Sequence, residues 1–378
     1  MVGRCYGRQV SVPWLSLARC SALLWLSACA PPEPPDTAAS DPRIEWVGRV
    51  QTVPGGAVRF AWPASQLRLR FQGTQLRANI EDQPTADEAP ELDWLAIEVD
   101  GKPLEKLALR EGAHAYTLVE GLAAGPHTLV LTKRTEPSVG TVTLRGFYAD
   151  AGTTLLSAPA RRTRRIELVG DSISAGFGNE NTKPGCKYDP SEQDASRSYA
   201  AIAARRLNAE LIVEAWTGKG VYRNYEAHDR TAMPALYGRV LPADASSPPI
   251  SAGFAPDAIV VALGTNDFIA GPPDQARFRA EYRALVERLR KDGPHAKLFL
   301  VLSPMLTEDY PSAKARSTAR SLLQTLAAQL SATGADATLV EQQFKQDEPW
   351  GCGGHPSVRS HARLGTELAQ VVRAKLRW

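Results

Sequence analysis

A chain of 378 residues is longer than the roughly 250 to 300 residues at which a single hydrophobic core usually stops growing, so two domains are expected. The formal net charge is +3, with 44 Lys and Arg against 41 Asp and Glu spread along the sequence. That balance lacks the dense basic footprint of a polyanion-binding surface, and no nucleic-acid partner is expected.

The first segment has a character of its own. Arg4, Arg8 and Arg19 precede an apolar patch from Ser21 to Leu26, far shorter than the roughly 20 apolar residues of a membrane-spanning helix. Residues 1–29 therefore read as an export signal. The patch closes on Leu26-Ser27-Ala28-Cys29, which resembles the bacterial lipobox, in which the cysteine is lipidated and becomes the new N-terminus. An ordinary signal peptide with a chance cysteine is the alternative. Residues 30–42, "APPEPPDTAASDP", read as a flexible proline-rich tether. The expected product is an exported, monomeric bacterial lipoprotein. Its lipid would be its only membrane contact, at the outer membrane, facing the periplasm or the cell surface.

Residues 43–155 carry short alternating runs, "AVRFAW", "QLRLRF", "LRANIED", "WLAIEVDG", "AYTLVEG", "HTLVLTKR" and "TVTLRGFY", separated by Gly, Pro or Asp turns. This spacing predicts an all-β sandwich of jelly-roll type. The arginine-rich stretch 161–165 reads as a solvated domain junction. From Ile166 the pattern changes to strands, "RIELVG", "AELIVEAW", "DAIVVALG", "KLFLVLSP" and "ATLVEQ", alternating with helical stripes. Tyr199, Ile202, Ala203 and Leu207 form one stripe and Phe278, Tyr282, Leu285, Val286 and Leu289 another, and Ser357 to Leu376 reads as a closing helix. The alternation predicts an α/β domain over residues 160–378, a parallel sheet with helices on both faces, whose chemistry lies where the strands end.

Three clusters follow predicted strands. Gly170-Asp171-Ser172 puts a hydroxyl on a tight turn after the first strand, but Ser174 stands where a G-x-S-x-G elbow needs its last glycine. "AWTGKGVYRNY", 215–225, supplies Gly218 or Gly220 as a backbone donor that a ligand can approach closely. In "ALGTNDF", 262–268, the Asn266 amide is a neutral donor suited to a developing oxyanion, or else an ordinary cap. Nearer the C-terminus, "WGCGGHPSVRSHARLG" places His355 before Pro356 on a fixed loop, where an imidazole can serve as general base. Among the other histidines, His114 and His127 fall in the β-domain, His228 in a loop, His295 near the opposite edge of the sheet, and His361 along the final helix.

In order and approximate spacing, Gly170-Asp171-Ser172, the glycine of the second strand end, Gly264-Thr265-Asn266-Asp267 and His355-Pro356 resemble the blocks of SGNH (GDSL-type) hydrolases. The preceding sandwich, with "TGKGVYRNY" and "GCGGHPS", resembles more narrowly carbohydrate esterase family 2, whose members deacetylate plant cell-wall polysaccharides. The resemblance implies an SGNH-type, flavodoxin-like three-layer domain with Ser172 as nucleophile and His355 as base. It also implies an oxyanion hole from the Ser172 N–H, a Gly218 or Gly220 N–H and Asn266. The implied substrate is an acetylated polysaccharide or oligosaccharide, and no cofactor or metal is implied.

One departure stands out. Many SGNH enzymes carry an aspartate two residues before the catalytic histidine, and here that residue is Gly353. A dyad is expected, with the Gly353 carbonyl or a neighbouring loop group holding the imidazole; Asp347 is the acid that could substitute. Asp171 is expected to brace its own turn. If Cys5, Cys20 and Cys29 belong to the exported leader, Cys186 and Cys352 remain as an even pair, and in an oxidising compartment a disulfide is expected, free thiols being the alternative. Trp350, Trp216 and Tyr222 are candidate faces for a sugar ring, with core packing as the bland alternative for each. The rival functions are a lipase, thioesterase or peptidoglycan O-acetylesterase on the same scaffold, or a glycan-binding lipoprotein without activity.

Overall fold

The computed structural model describes residues 33–85, 91–150, 152–183, 185–247 and 253–378. The export signal, Cys29 and the start of the tether lie outside the described residues. In the N-terminal part, two antiparallel sheets pack face to face. One runs in the order Gly112–Val119, Leu76–Pro84, Gly140–Tyr148, Val58–Phe60 and Val50–Thr52, and the other contains Gln66–Gly73, Gly125–Lys133 and Trp94–Val99 as neighbours. Period-two alternation turns Leu67, Leu69 and Phe71 of one sheet toward Leu76, Ala78 and Ile80 of the other, and these side chains are fully buried.

The tether is shorter than its composition suggests. Thr37 and Ala38 pair antiparallel with Phe147 and Gly146, so residues 37–38 extend a sheet instead of hanging free. Gly146 makes this possible: its φ is +154°, and a Cβ there would overlap the Thr37 carbonyl oxygen, so no other residue would admit the added strand.

The second sheet-forming region contains β1 (Arg164–Gly170), β2 (Ala209–Ala215), β3 (Ala258–Ala262), β4 (Lys297–Leu302) and β5 (Ala337–Glu341), all parallel in the order β2-β1-β3-β4-β5. Helices α1 (Tyr199–Leu207) and α4 (Val358–Leu376) cover one face with Leu168, Val213, Val260 and Phe299 beneath them. Helices α2 (Gln275–Asp292) and α3 (Ala315–Ala332) cover the other with Val169, Val261 and Leu300. The alternation of Leu168 and Val169 between two cores explains why these strands read as unbroken apolar runs. Helix α3 is absent from the expected elements because Ser, Thr, Gln and Ala dilute its stripe, although Leu322, Leu323, Leu326 and Leu330 are spaced as a buried helical face.

The sandwich is docked on the α/β domain through buried charge. Glu167 lies in β1 and Glu214 in the edge strand β2, and Arg49 reaches them from the sandwich, with its Nε 2.5 Å from Glu214 Oε1 and its Nη2 on Glu167. Burial pushes both carboxyls up, and the guanidinium pulls them back toward ionisation. Trp62, also from the sandwich, is fully buried in the α2/α3 core and donates its indole N–H to Arg239 O at 2.9 Å. At the junction, Arg162, Arg164 and Arg165 donate to the carbonyls of Ala209, Leu207 and Phe254. The arginine cluster is therefore largely bound to the domain edge, and only part of it is solvated.

Candidate functional site

Strand β1 ends at Gly170, where a Cβ would overlap Ser174 Oγ, so the chain turns there only without a side chain. Asp171 is the N-cap of the single helical turn Ser172–Ala175, its Oδ1 accepting the Ile173 N–H at 3.0 Å. Burial pushes the Asp171 carboxyl up to about 7, and its side chain braces the turn as expected of a cap. Ser172 thus opens a helical turn at the carboxyl edge of the sheet, and its N–H has no carbonyl four residues back to serve.

His355 comes to this hydroxyl from 183 residues away. Its Nε2 lies 2.7 Å from Ser172 Oγ, and its Nδ1 lies 3.0 Å from the carbonyl oxygen of Cys352. A carbonyl only accepts, so the proton sits on Nδ1 and the Nε2 lone pair faces the serine, which donates its O–H. This is the tautomer a general base requires. The carbonyl that accepts from Nδ1 at 3.0 Å belongs to Cys352, and the Gly353 backbone also bonds the ring. Asp347 plays no part in holding the ring: it is exposed and its carboxylate lies 3.5 Å from Arg359.

The histidine loop is fastened to the nucleophile loop. Cys352 is bonded to Cys186, with Cα atoms 5.6 Å apart, and the Cys352 N–H donates to Gly178 O at 3.0 Å. Gly178 has φ +51°, and a Cβ there would meet Cys352 Cβ at 2.5 Å, so the two loops touch only because this residue is glycine. Phe177 packs on the imidazole at 4.6 Å between ring centroids and stacks on Tyr188 at 4.3 Å. These neighbours strip hydration from the ring and drive the His355 pKa down to about 4 from the ordinary 6.5, with the backbone of Cys352 and Gly353 returning only part of that loss.

Two further donors approach the same edge of the sheet. Asn266 opens a short 3-10 turn after β3 and donates one amide hydrogen to Lys219 O at 2.9 Å, which fixes the amide and leaves its second hydrogen free among the described residues. Of the two candidate glycines, Gly220 is eliminated: its N–H donates to Asn224 Oδ1 at 3.0 Å, and a Cβ there would overlap Arg223 O. Gly220 is a packing glycine. Gly218, at φ +77°, carries no such bond on its N–H among the described residues.

The three candidate aromatic faces divide. Trp350 is half exposed and packs its ring against Phe344 at 4.0 Å. Trp216 packs on the α2/α3 core beneath the Lys219 ammonium, 4.9 Å from its ring. Tyr222 is spent on structure: its oxygen accepts the Asp274 N–H at 2.9 Å and the Arg277 guanidinium covers the ring at 4.7 Å. The reason is local, since the tyrosine props the N-terminus of α2. Sequence reasoning missed Asp267, whose carboxylate accepts the N–H groups of Val221, Tyr222 and Arg223 and so shapes the whole loop after β2. Its place beside Asn266 was the available signal.

Two family profiles match in tandem, one described as carbohydrate esterase 2 N-terminal over residues 46–159 and one as GDSL-like lipase/acylhydrolase family over residues 168–363. Fold, serine turn and profile together define a GDSL-like acylhydrolase. A cellulase/esterase from Acetivibrio thermocellus is 32% identical over 341 residues, which is 89% of this chain and 40% of that protein, so the chain spans less than half of that relative's length. An acetylxylan esterase / glucomannan deacetylase from Cellvibrio japonicus is 27% identical over 73% of this chain and 75% of its own. The solved structure of a family two carbohydrate esterase from Clostridium thermocellum, in complex with cellohexaose, matches with a TM-score of 0.82 at 31% identity, covering 89% of this chain and 99% of that one. The chain belongs to carbohydrate esterase family 2.

A base must be neutral, so activity on a simple acetyl ester should persist as pH falls through 6.5 and decline only near pH 4, the His355 value. A Cβ at Gly353 would sit 3.5 Å from His355 Nδ1, and Gly353→Asp should bring a carboxylate to that nitrogen and move the acidic limb of kcat/KM upward; an unmoved limb would contradict the carbonyl's role. Opening Cys186–Cys352 with reductant should lower stability by about 2–4 kcal/mol and activity with it, read by chemical denaturation and turnover on the same sample.

Proposed function

We propose that this chain is an exported serine esterase that removes O-acetyl groups from cell-wall polysaccharides of the xylan or glucomannan type. The observation that carries the reading is the contact of His355 Nε2 with Ser172 Oγ at 2.7 Å, with the opposite ring nitrogen held by an acceptor. In this mechanism His355 takes the Ser172 proton as Oγ attacks the acetyl carbonyl carbon. The negative charge that forms on the carbonyl oxygen is met by the N–H groups of Ser172 and Gly218 and the free amide hydrogen of Asn266. The imidazolium then gives its proton to the departing sugar alcohol, leaving an acetyl-serine. Water attacks that ester with His355 again as base, and acetate leaves.

The acetylated-glycan substrate is supported by family membership and by what the relatives' names say they act on. A half-exposed Trp350 next to the histidine loop supports a sugar ring as the leaving group's surroundings. Export, with lipid on Cys29 as the only membrane contact, rests on the leader sequence, and the Cys186–Cys352 bridge suits an oxidising compartment. A monomer completes the proposal.

Release of acetate from acetylated xylan and glucomannan should vanish in Ser172→Ala and in His355→Ala. Asn266→Ala should lose about 100- to 1000-fold in kcat, as expected for one oxyanion donor. Undiminished turnover by Ser172→Ala would end the assignment of the nucleophile. The full-length protein should partition into detergent when made in a bacterial host, and Cys29→Ser should return it to the aqueous phase; equal partitioning would remove the lipid anchor.

A further inference from the structure

The loop between the sandwich strands Gly125–Lys133 and Gly140–Tyr148 leaves the sandwich and reaches both sides of the reacting pair. It is stiff. Lys133, fully buried, holds Asp93 at 2.5 Å and donates to the carbonyls of Thr135 and Glu136, and the Val139 N–H also donates to Glu136 O. On one side Arg134 grips the segment that follows the nucleophile turn, donating to Gln193 O at 3.1 Å and pairing with Glu180 and Asp194. On the other side the buried carboxylate of Glu136 accepts the backbone N–H of Thr217 at 2.6 Å, across 81 residues of sequence.

Thr217 precedes Gly218. The peptide between them carries the Gly218 N–H, and the peptides on either side of it are pinned: one by Glu136 on the Thr217 N–H and the other by the Tyr225 N–H on Gly218 O at 2.7 Å. One residue further, Lys219 O orients the Asn266 amide. A shift of the 217–219 segment would therefore move two oxyanion donors together. We propose that Glu136 is a positioning residue for the reaction, a side chain of the sandwich domain that aims the Gly218 N–H and, through Lys219, the Asn266 amide at the forming oxyanion. The proposal rests on the reading of Ser172, Gly218 and Asn266 given above.

What the site needs from Glu136 is an acceptor at the right reach. Its charge is a burden there, because loss of hydration raises the Glu136 carboxyl and no cation pairs with it among the described residues, the Lys133 ammonium being engaged by Asp93. A glutamine keeps both the reach and the acceptor. An aspartate keeps the charge but withdraws the acceptor by one methylene, far enough to release the Thr217 N–H.

Steady-state hydrolysis of 4-nitrophenyl acetate by Glu136→Gln and Glu136→Asp separates these requirements, with Ser172→Ala and Asn266→Ala as references. The glutamine variant should keep kcat within about threefold of the parent, while the aspartate variant should lose about 10- to 100-fold in kcat with KM little changed, the scale expected when reacting groups are misplaced by about 1 Å. Glu136→Leu fills the same space with no acceptor and carries the aspartate variant's expectation if that protein does not fold. Parental kcat in Glu136→Asp or Glu136→Leu overturns the proposal, as does a glutamine variant that falls as far as they do, or a loss confined to KM. Failure of the underlying reading looks different: Ser172→Ala would stay active, or Asn266→Ala would be neutral, whatever Glu136 does.

Discussion

The serine–histidine contact depends on one hydrogen bond, that from His355 Nδ1–H to the carbonyl oxygen of Cys352, which the Gly353 backbone reinforces. It selects the tautomer, turns the Nε2 lone pair toward Ser172 and leaves the ring without a carboxylate partner. Cys352 can offer that carbonyl in the right place because three other contacts fix it: the bridge to Cys186, its own N–H on Gly178 O, and the close approach that only a glycine at 178 allows. A backbone carbonyl also stabilises the imidazolium less than a carboxylate would, so desolvation by Phe177 and the surrounding loop prevails and the imidazole falls to about 4. The orienting group and the depressed pKa of the imidazole are thus two aspects of one contact.

The neighbourhood of Ser172 is dehydrated but not strongly charged. Burial raises Asp171 to about 7 and Asp267 to about 6; Asp171 gives one oxygen to a backbone N–H of its own turn, and Asp267 gives both to the loop that carries Gly218 and Lys219 toward the site. Neither is spent on the imidazole. In the proposed mechanism the donors are neutral amides, which would stabilise a charge that forms during reaction without attracting a competing anion beforehand.

The sandwich is part of this construction and not an appendage. Arg49 pairs with two glutamates inside the parallel sheet, Trp62 fills the α2/α3 core, and the loop from Lys133 to Glu136 touches the segments on both sides of the serine–histidine pair. Two fully buried glutamates in adjacent strands, Glu167 in β1 and Glu214 in the edge strand β2, are costly to bury without a cation beside them, and Arg49 brings one from the sandwich. The two profiles that match this chain in tandem therefore correspond to parts that share a core and a charge network.

Local pattern was enough to read the five parallel strands, the closing helix, the alternating runs of the sandwich and the residue types at the strand ends, because those features follow from periodicity and from turn chemistry within a few residues. The serine, the histidine and the asparagine were visible for the same reason, each standing beside its own punctuating Gly, Pro or Asp. Helix α3 escaped because small polar residues blurred its stripe, and the bound strand at Thr37 escaped because its partner, Gly146, is more than a hundred residues away. Only the folded chain decided that Gly218 and not Gly220 has an open N–H among the described residues, that the Cys352 carbonyl, with the Gly353 backbone beside it, and not Asp347 orients the imidazole, that Tyr222 props a helix, and that Glu136 reaches the loop after β2. Each of those outcomes turns on which acceptor a given donor meets in space. Sequence spacing sets what a residue is able to donate or accept; distance and direction across the fold set which partner it gets.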